Sequence, residues 1–356
     1  MTRPLLVTGG AGFIGVNLVR RCLASGLRMV NLDLLTYAGN RDSLSGVMDD
    51  PRHVFIQGDI RDRALVARLL ERHQPGAVLH LAAESHVDRS IEDAGAFLST
   101  NVLGTHALLD AALDHWRQLP DERRRAFRFV HVSTDEVFGS LGPEGLFDET
   151  TRYDPRSPYA ASKAGSDHIA RAYAHTHGLP VIVTNCTNNY GPYQFPEKLI
   201  PTLILSALEG RALPIYGKGE NVRDWLHVED HAAALLTVAE HGRPGETYCL
   251  GGRAERTNIE VARAVCAALD ELSPRADGKP HDAAIAFVAD RPGHDLRYAM
   301  DCAKAERELG WRAEKRFEDG IAETVRWYLD HRDWWRAIRQ RGFAGERLGL
   351  AKAATQ

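Results

Sequence analysis

The chain has 356 residues, 44% of them hydrophobic, which suffices for a large core and excludes disordered and fibrous classes. Its formal net charge is only -4, and the one basic run of note is Arg123-Arg124-Arg125, so neither nucleic acid nor a membrane surface is expected as a partner. Five cysteines (Cys22, Cys186, Cys249, Cys266, Cys302) are scattered and never spaced C-x-x-C, which excludes a disulfide framework or zinc knuckle and fits a reducing cytoplasm.

In chain order, the apolar LLVTGG follows Met1 almost at once, without the basic and apolar regions of a targeting segment. Short apolar runs then recur as LLVTG, MVNLD, HVFIQGD, AVLHLAA, FRFVHVS and PVIVTN. Most are separated by helical patterns such as FIGVNLVRRCLASG, RALVARLLERH, FLSTNVLGTHALLDAALDHW and YAASKAGSDHIARAYAHTHG. Strands that read as continuously apolar and alternate with helices predict a parallel sheet covered on both faces, an α/β doubly wound Rossmann-type domain over residues 1–185. Beyond Asn185, frequent Pro and Gly predict a smaller, mixed C-terminal lobe over 186–342 that would hold the substrate. WLHVEDHAAALLTVAEHG reads as a helix and ETYCLGG as a strand, so residues 226–250 are expected to return to the first domain. The stretch 343–356 is expected to be a frayed tail.

After the first strand comes GGAGFIG, in which Gly10, Gly12 and Gly15 satisfy G-x-G-x-x-G and Gly9 adds a further glycine. Such glycines permit a tight turn, close backbone approach to a pyrophosphate and close packing of helix on sheet, while the helix N-terminus offers N–H groups to phosphate. Asp33 ends the second strand 18 residues beyond Gly15. An acid there accepts from ribose hydroxyls and repels a 2'-phosphate, so NAD is expected rather than NADP. Asp59 and Ile60, which close the third strand, and the LAAES stretch after the fourth are expected beside the same cofactor, although Asp59 also reads as an ordinary turn residue.

Farther on, Tyr159 and Lys163 stand four apart in SPYAASKAG and share a helix face. The ammonium would favour the phenolate, making Tyr159 a base toward a sugar hydroxyl. VSTDEVFG sets Thr134, Asp135 and Glu136 side by side where a strand should end, and there adjacent carboxylates can face one ligand. One proton donor and one acceptor for neighbouring atoms is what loss of water requires, and two close like charges push one pKa up. The alternative for these acids is a cap for the following turn. His227 and His231 have i,i+4 spacing but no third ligand in register, so no metal is expected.

GGAGFIG, LTYAGN, HLAAESHVDRS, STDEVFG, SPYAASKAGSDH, TNNYGPYQFPEKLIP and DRPGHDLRY, in this order, resemble the extended short-chain dehydrogenase/reductase family, and within it the nucleotide-sugar 4,6-dehydratases, over residues 4–335. The resemblance implies a hydro-lyase for a nucleoside-diphosphate glucose, with thymidine expected as the base and uridine as the alternative. NAD+ would take a hydride from C4 as Tyr159 removes the O4 proton. Glu136 would then remove the C5 proton, Asp135 protonate the departing C6 hydroxyl, and the hydride return to C6. Lys163 would lower the Tyr159 pKa and hold the nicotinamide ribose, and Thr134 would bond the O4 region.

It further implies cofactor contacts at Gly9, Gly12, Phe13, Ile14, Gly15, Asp33, Thr36, Asp59, Ile60, Leu81, Ala82, Ala83, Ser85, Thr100, Tyr159, Lys163 and Asn189. Substrate contacts would fall on Ser85, Thr134, Asn188, Lys198, Leu199, Pro214, Ile215, Tyr216, Arg223, Asn258, Asp290, Arg291 and His294. Of these, Lys198, Arg223 and Arg291 are suited to neutralise a diphosphate and Tyr216 to cover a base. A homodimer through helices near 96–116 and 159–178 is implied as well. Only 22 residues separate Glu136 from Tyr159, a short connection in the region expected to cover the sugar. A 4-epimerase of the same fold is the nearest rival, but it needs only oxidation and reduction at C4 and has no use for Asp135 and Glu136.

Overall fold

The computed structural model describes residues 3–290 and 294–341; Arg291 and the expected tail 343–356 lie outside the described residues. Strands β1 (Leu5–Thr8), β2 (Met29–Asp33), β3 (His53–Gln57), β4 (Ala77–His80), β5 (Arg128–Thr134) and β6 (Val181–Cys186) join a later strand, β10 (Thr247–Leu250). Together they form one parallel sheet in the order β10-β6-β5-β4-β1-β2-β3. Connecting them in the first half are α1 (Phe13–Ala24), α2 (Arg63–His73), the short α3 (Val87–Glu92) and α4 (Ala94–Phe97), α5 (Thr105–Gln118), α6 (Asp121–Ala126) and α7 (Pro158–His177).

The central strands are buried along their length because both faces are covered. Leu5 and Val7 of β1 enter a core with Val16 and Val19 of α1, whereas Leu6 between them enters the opposite core with Leu70 of α2 and Leu109 of α5. Each such fully buried side chain contributes roughly 1.5–3 kcal/mol. The chain proceeds from β1 outward to β3 and then crosses back to β4 on the other side of β1. That reversal opens a crevice at the carboxyl ends of β1 and β4, the place where this architecture holds ligands.

The second half adds β7 (Asn188–Tyr190), α8 (Leu199–Leu208), β8 (Leu213–Tyr216), β9 (Val222–His227), α9 (Val228–His241), β11 (Glu255–Thr257), α10 (Asn258–Leu272) and β12 (Ile285–Val288). It ends in α11 (Ala303–Leu309), α12 (Phe317–Asp330) and α13 (Arg332–Gln340). A sheet β11-β9-β7 and a pair β12-β8 pack with α8, α10 and α12 around Leu203, Val265 and Val325.

The expected helix WLHVEDHA begins three residues later, at Val228, because Trp225, Leu226 and His227 are taken into β9 between β7 and β11. His227 then caps α9 by accepting the Glu229 N–H at 3.4 Å. Alternation along β9 sends Leu226 into the core of Leu5 and Val7, the first core, and Trp225 into that of Leu203, Val265 and Val325, the second-lobe core, which ties the two lobes together. Leu235 of α9, Ala305 of α11 and Trp311 also lie in the first core. No described helix is long and apolar enough to cross a membrane.

Candidate active site

The β1–α1 connection is built to admit a ligand backbone. Gly9 has φ +75°, and a Cβ on it would stand 2.6 Å from the Ala82 nitrogen; one on Gly15 would stand 2.1 Å from the Gly9 carbonyl oxygen. The N-cap of α1 is Gly12, which offers no side-chain cap, and no acidic side chain lies in the first turn. The N-terminal N–H groups of α1 are thus left to donate to an anion, an arrangement that fits a dinucleotide pyrophosphate. Asp33, buried at the end of β2, takes the Ala11 and Leu35 N–H groups on its two oxygens, each at 2.8 Å, and a carboxylate so used keeps lone pairs for a ribose diol.

Substituting Gly15 by Ala should press a methyl group into the loop backbone, costing about 1–3 kcal/mol of stability and most of the bound dinucleotide. Thermal melting together with the cofactor content of the purified variant checks this; normal content would contradict it.

One cleft collects the residues expected to hold the cofactor. Gly9, Gly12, Phe13, Ile14 and Gly15 enter it from the glycine loop, Asp33 and Thr36 from beyond β2, and Asp59 and Ile60 from the turn after β3. Leu81, Ala82, Ala83 and Ser85 follow from the end of β4, Thr100 from a π-helical segment, Leu98–Gly104, between α4 and α5, and Tyr159, Lys163 and Asn189 from the far wall. Asp59 is also a turn residue, taking the Arg61 N–H at 2.8 Å and its guanidinium at 2.5 Å. Of the residues expected at the substrate, Ser85, Thr134, Asn188 and Lys198 line the same cleft.

The chemistry end grows from β5 and α7. After Thr134 the strand turns into a 3-10 segment, Asp135–Phe138, capped by the Thr134 hydroxyl, which accepts the Glu136 N–H at 3.3 Å and donates to Asp135 Oδ1 at 3.1 Å. Asp135 is 2% exposed, and its buried Oδ2 has no hydrogen-bond partner among the described residues. Burial first, and the Glu136 charge second, push the Asp135 pKa up to about 8, while Arg223 and Thr134 pull it down. Like-charge repulsion, the cause expected from the sequence, is therefore the smaller of the two.

Ser157 caps α7 by accepting the Ala160 N–H at 3.0 Å, and Pro158 starts the helix. One turn apart on its buried face stand Tyr159 and Lys163, whose Nζ donates to the Val132 carbonyl at 2.8 Å. Burial and the nearby Glu136 hold the Tyr159 phenol well above its ordinary range, and burial lowers the Lys163 pKa. Beside the Lys163 ammonium, expected from the sequence to favour the phenolate, burial of a phenol 8% exposed acts in the opposite direction.

Among the described residues, the others expected at the substrate are not among those lining the cleft. Leu199 opens α8 just past Lys198. Pro214, Ile215 and Tyr216 form β8, paired with β12, and the Ile215 side chain is fully buried in the second-lobe core. Tyr216 stands 6.2 Å, edge to face, from His294, whose Nδ1 is 2.7 Å from Asp290 Oδ1. Asn258 begins α10 and its N–H reaches the Asn221 carbonyl at 3.0 Å. Arg223 is 5% exposed, donates to the carbonyls of Val222 at 2.7 Å and Asp295 at 2.9 Å, and lies 4.1 Å above the Tyr298 ring. Its charge acts on Asp135, a relation the sequence did not suggest. His231 Nδ1 is 2.8 Å from the Asn189 Oδ1, so that histidine backs the cleft wall.

Cleft residues missed in the sequence include Cys186, Gln194, Phe195 and Glu197. Two carried a readable signal. Cys186 ends β6 in register with Thr134 at the end of β5, and Glu197 directly precedes Lys198. Glu197 is held by the Tyr37 hydroxyl at 3.1 Å.

A doubly wound sheet, a glycine loop at its reversal point and a Tyr159–Lys163 pair across the same cleft define an extended short-chain dehydrogenase/reductase. The profile of the family described as GDP-mannose 4,6 dehydratase matches residues 6–324. A dTDP-glucose 4,6-dehydratase of Xanthomonas campestris pv. campestris (strain B100) is 60% identical over 344 residues, 97% of this chain and 98% of the relative. Its counterpart in Neisseria meningitidis serogroup B is 55% identical over 354 residues, 98% of this chain and 100% of the relative. The crystal structure of the Streptomyces venezuelae dTDP-glucose 4,6-dehydratase with NAD bound superposes with a TM-score of 0.85 at 50% identity, covering 94% of this chain and 99% of that one. The UDP-glucose 4-epimerase of Thermus thermophilus, in complex with NAD, reaches 0.80 at 30% identity, covering 92% and 99%. The chain belongs to the nucleotide-sugar 4,6-dehydratases, and within them to the dTDP-glucose 4,6-dehydratase family.

Proposed function

We propose that this chain dehydrates dTDP-glucose to dTDP-4-keto-6-deoxyglucose with NAD as a cofactor that ends each turnover as it began. The observation that carries this reading is the buried Asp135 carboxyl, with one oxygen unpartnered among the described residues, next to Glu136 in the cleft that holds Tyr159. A 4-epimerase has no use for such an acid and base. Bound NAD+ supplies a hydride acceptor for C4 and a positive charge that favours the Tyr159 phenolate. Tyr159 then takes the O4 proton as C4 is oxidised, with Lys163 as its cationic neighbour and Thr134 beside the reacting oxygen. The resulting ketone acidifies C5, Glu136 removes that proton, and Asp135 gives its own to the leaving C6 hydroxyl, so that water departs as the C5–C6 double bond forms.

Asp135 acts only while protonated. With its pKa raised to about 8, elimination should be fastest below that value and fall as pH rises through it. Single-turnover product formation against pH tests the sign; a rate that keeps rising well past the Asp135 pKa would contradict the assignment.

Incubation with dTDP-glucose tests the function as a whole. A 4-keto-6-deoxy product, detected by its absorbance in alkali, supports it, and a galactose product overturns it. For the base, kcat/KM should favour dTDP- over UDP-glucose by the worth of one methyl contact, about 1–3 kcal/mol.

A homodimer through the α5 and α7 faces belongs to the same proposal, supported by Leu98 and Leu103, 51% and 62% exposed just before α5. A cytoplasmic setting is supported by five buried free thiols.

A further inference from the structure

Tyr159 and Lys163 are followed on α7 by a third polar residue on the same face. Asp167 lies one turn beyond Lys163 and is fully buried, with 0% exposure. Its Oδ1 is 3.0 Å from His131 Nε2, and its Oδ2 accepts the Ser133 hydroxyl at 2.7 Å and the Tyr153 hydroxyl at 2.8 Å. His131 and Ser133 flank Val132 on β5, and it is the Val132 carbonyl that takes the Lys163 ammonium at 2.8 Å. One turn of α7 therefore grips three successive residues of β5, and the next residue along the strand is Thr134. Arg171, one turn further, donates to the Tyr153 hydroxyl at 2.8 Å and closes the outer side of the cluster.

We propose that Asp167 is a positioning residue for the reaction. It locks the end of β5 to α7 and supplies the negative charge that faces Lys163, so that Thr134 and the Tyr159–Lys163 pair stand in register across the cleft. A buried carboxylate needs this many donors and a cationic neighbour to stay ionised, and the Asp167 pKa is lowered in spite of its burial by His131, Lys163 and Ser133. Lys163 is faced by Asp167 on its own helix, by His131 on β5, by His80 on β4 and by Cys186 at the end of β6. Burial lowers the pKa of both histidines and raises the Cys186 thiol to about 12, which leaves Asp167 as the anion facing Lys163. Its charge raises the Lys163 pKa against the effect of burial, so removing it should let the ammonium lose its proton at lower pH.

The inference rests on the dehydratase reading above, and its test is separable from it. Asp167→Asn, compared with wild type as holoenzyme on dTDP-glucose, should slow the first hydride transfer by about 10- to 100-fold, the scale of a small misplacement of catalytic groups. KM should stay within about twofold. The alkaline limb of the hydride-transfer profile should move to lower pH by about one unit. In a Lys163→Met background the same substitution should cost markedly less than in wild type, because one of the two groups that Asp167 positions is gone. An unshifted profile with equal losses in both backgrounds would show a merely structural residue and overturn the proposal. If Asp167→Asn alone does not fold, the double variant, which removes both buried charges, should fold; failure of both overturns the proposal equally. Wild-type enzyme that leaves dTDP-glucose unchanged would reject the proposed function instead, while the coupling between residues 163 and 167, read from thermal melting of the four proteins, would still decide this inference.

Discussion

Replacing Glu136 with Gln should stop the reaction halfway: C4 is oxidised, elimination fails, and the absorbance of reduced nicotinamide builds up when substrate is added. The amide keeps the size of the carboxylate but cannot take the C5 proton, and loss of a general base costs about 10²- to 10⁴-fold. Oxidation should survive because the Glu136 charge raises the Tyr159 pKa; its removal makes that base easier to ionise. The same charge raises Asp135, which would become a slightly stronger acid with no carbanion to serve. Overall turnover should therefore fall steeply while the first step stays near its normal rate. Unchanged turnover would reject Glu136 as the C5 base.

Tyr159→Phe should give the opposite pattern, with no reduced nicotinamide formed on substrate addition and a first step slower by about 10²- to 10⁴-fold. The phenol lies at the buried end of α7, and its ring stands edge to face with Phe97 at 6.2 Å, a contact that Phe preserves. The deficit should thus be chemical, with the melting temperature and dinucleotide content close to normal. Formation of reduced nicotinamide at the wild-type rate would mean that another group accepts the O4 proton. The contrast between the two variants separates oxidation from elimination, which neither shows alone.

The first lobe was legible in the sequence because both faces of its sheet are buried. Runs such as LLVT and VIVTNC are mostly apolar and buried at every position, and the glycine loop, Asp33 and the Tyr159–Lys163 pair declare themselves by local spacing. What escaped depends on contacts between distant segments. Trp225 to His227 carry a helical period, yet pairing with Asn188 to Tyr190 makes them a strand, continuous with Val222 to Asp224, which pair with Glu255 to Thr257. β8 joins β12 from about seventy residues away in sequence, and no local pattern announces that Tyr216 will meet His294 there. Charge environments were equally hidden. The adjacency of Asp135 and Glu136 suggested repulsion, whereas the larger influence on Asp135 is the depth at which β5 ends, and burial likewise raises the Tyr159 pKa, which the sequence did not announce. Asp167 was within reach of sequence reasoning, since it extends Y-x-x-x-K by one further turn of the same helix face.

The central claim is that one cleft oxidises C4, eliminates water across C5–C6 and returns the same hydride to C6. dTDP-glucose carrying deuterium at C4 tests it most directly. The account predicts that the 4-keto-6-deoxy product carries the label in its C6 methyl group. A galactose product with the label still at C4, or a deoxysugar whose label has been lost to solvent, would contradict it.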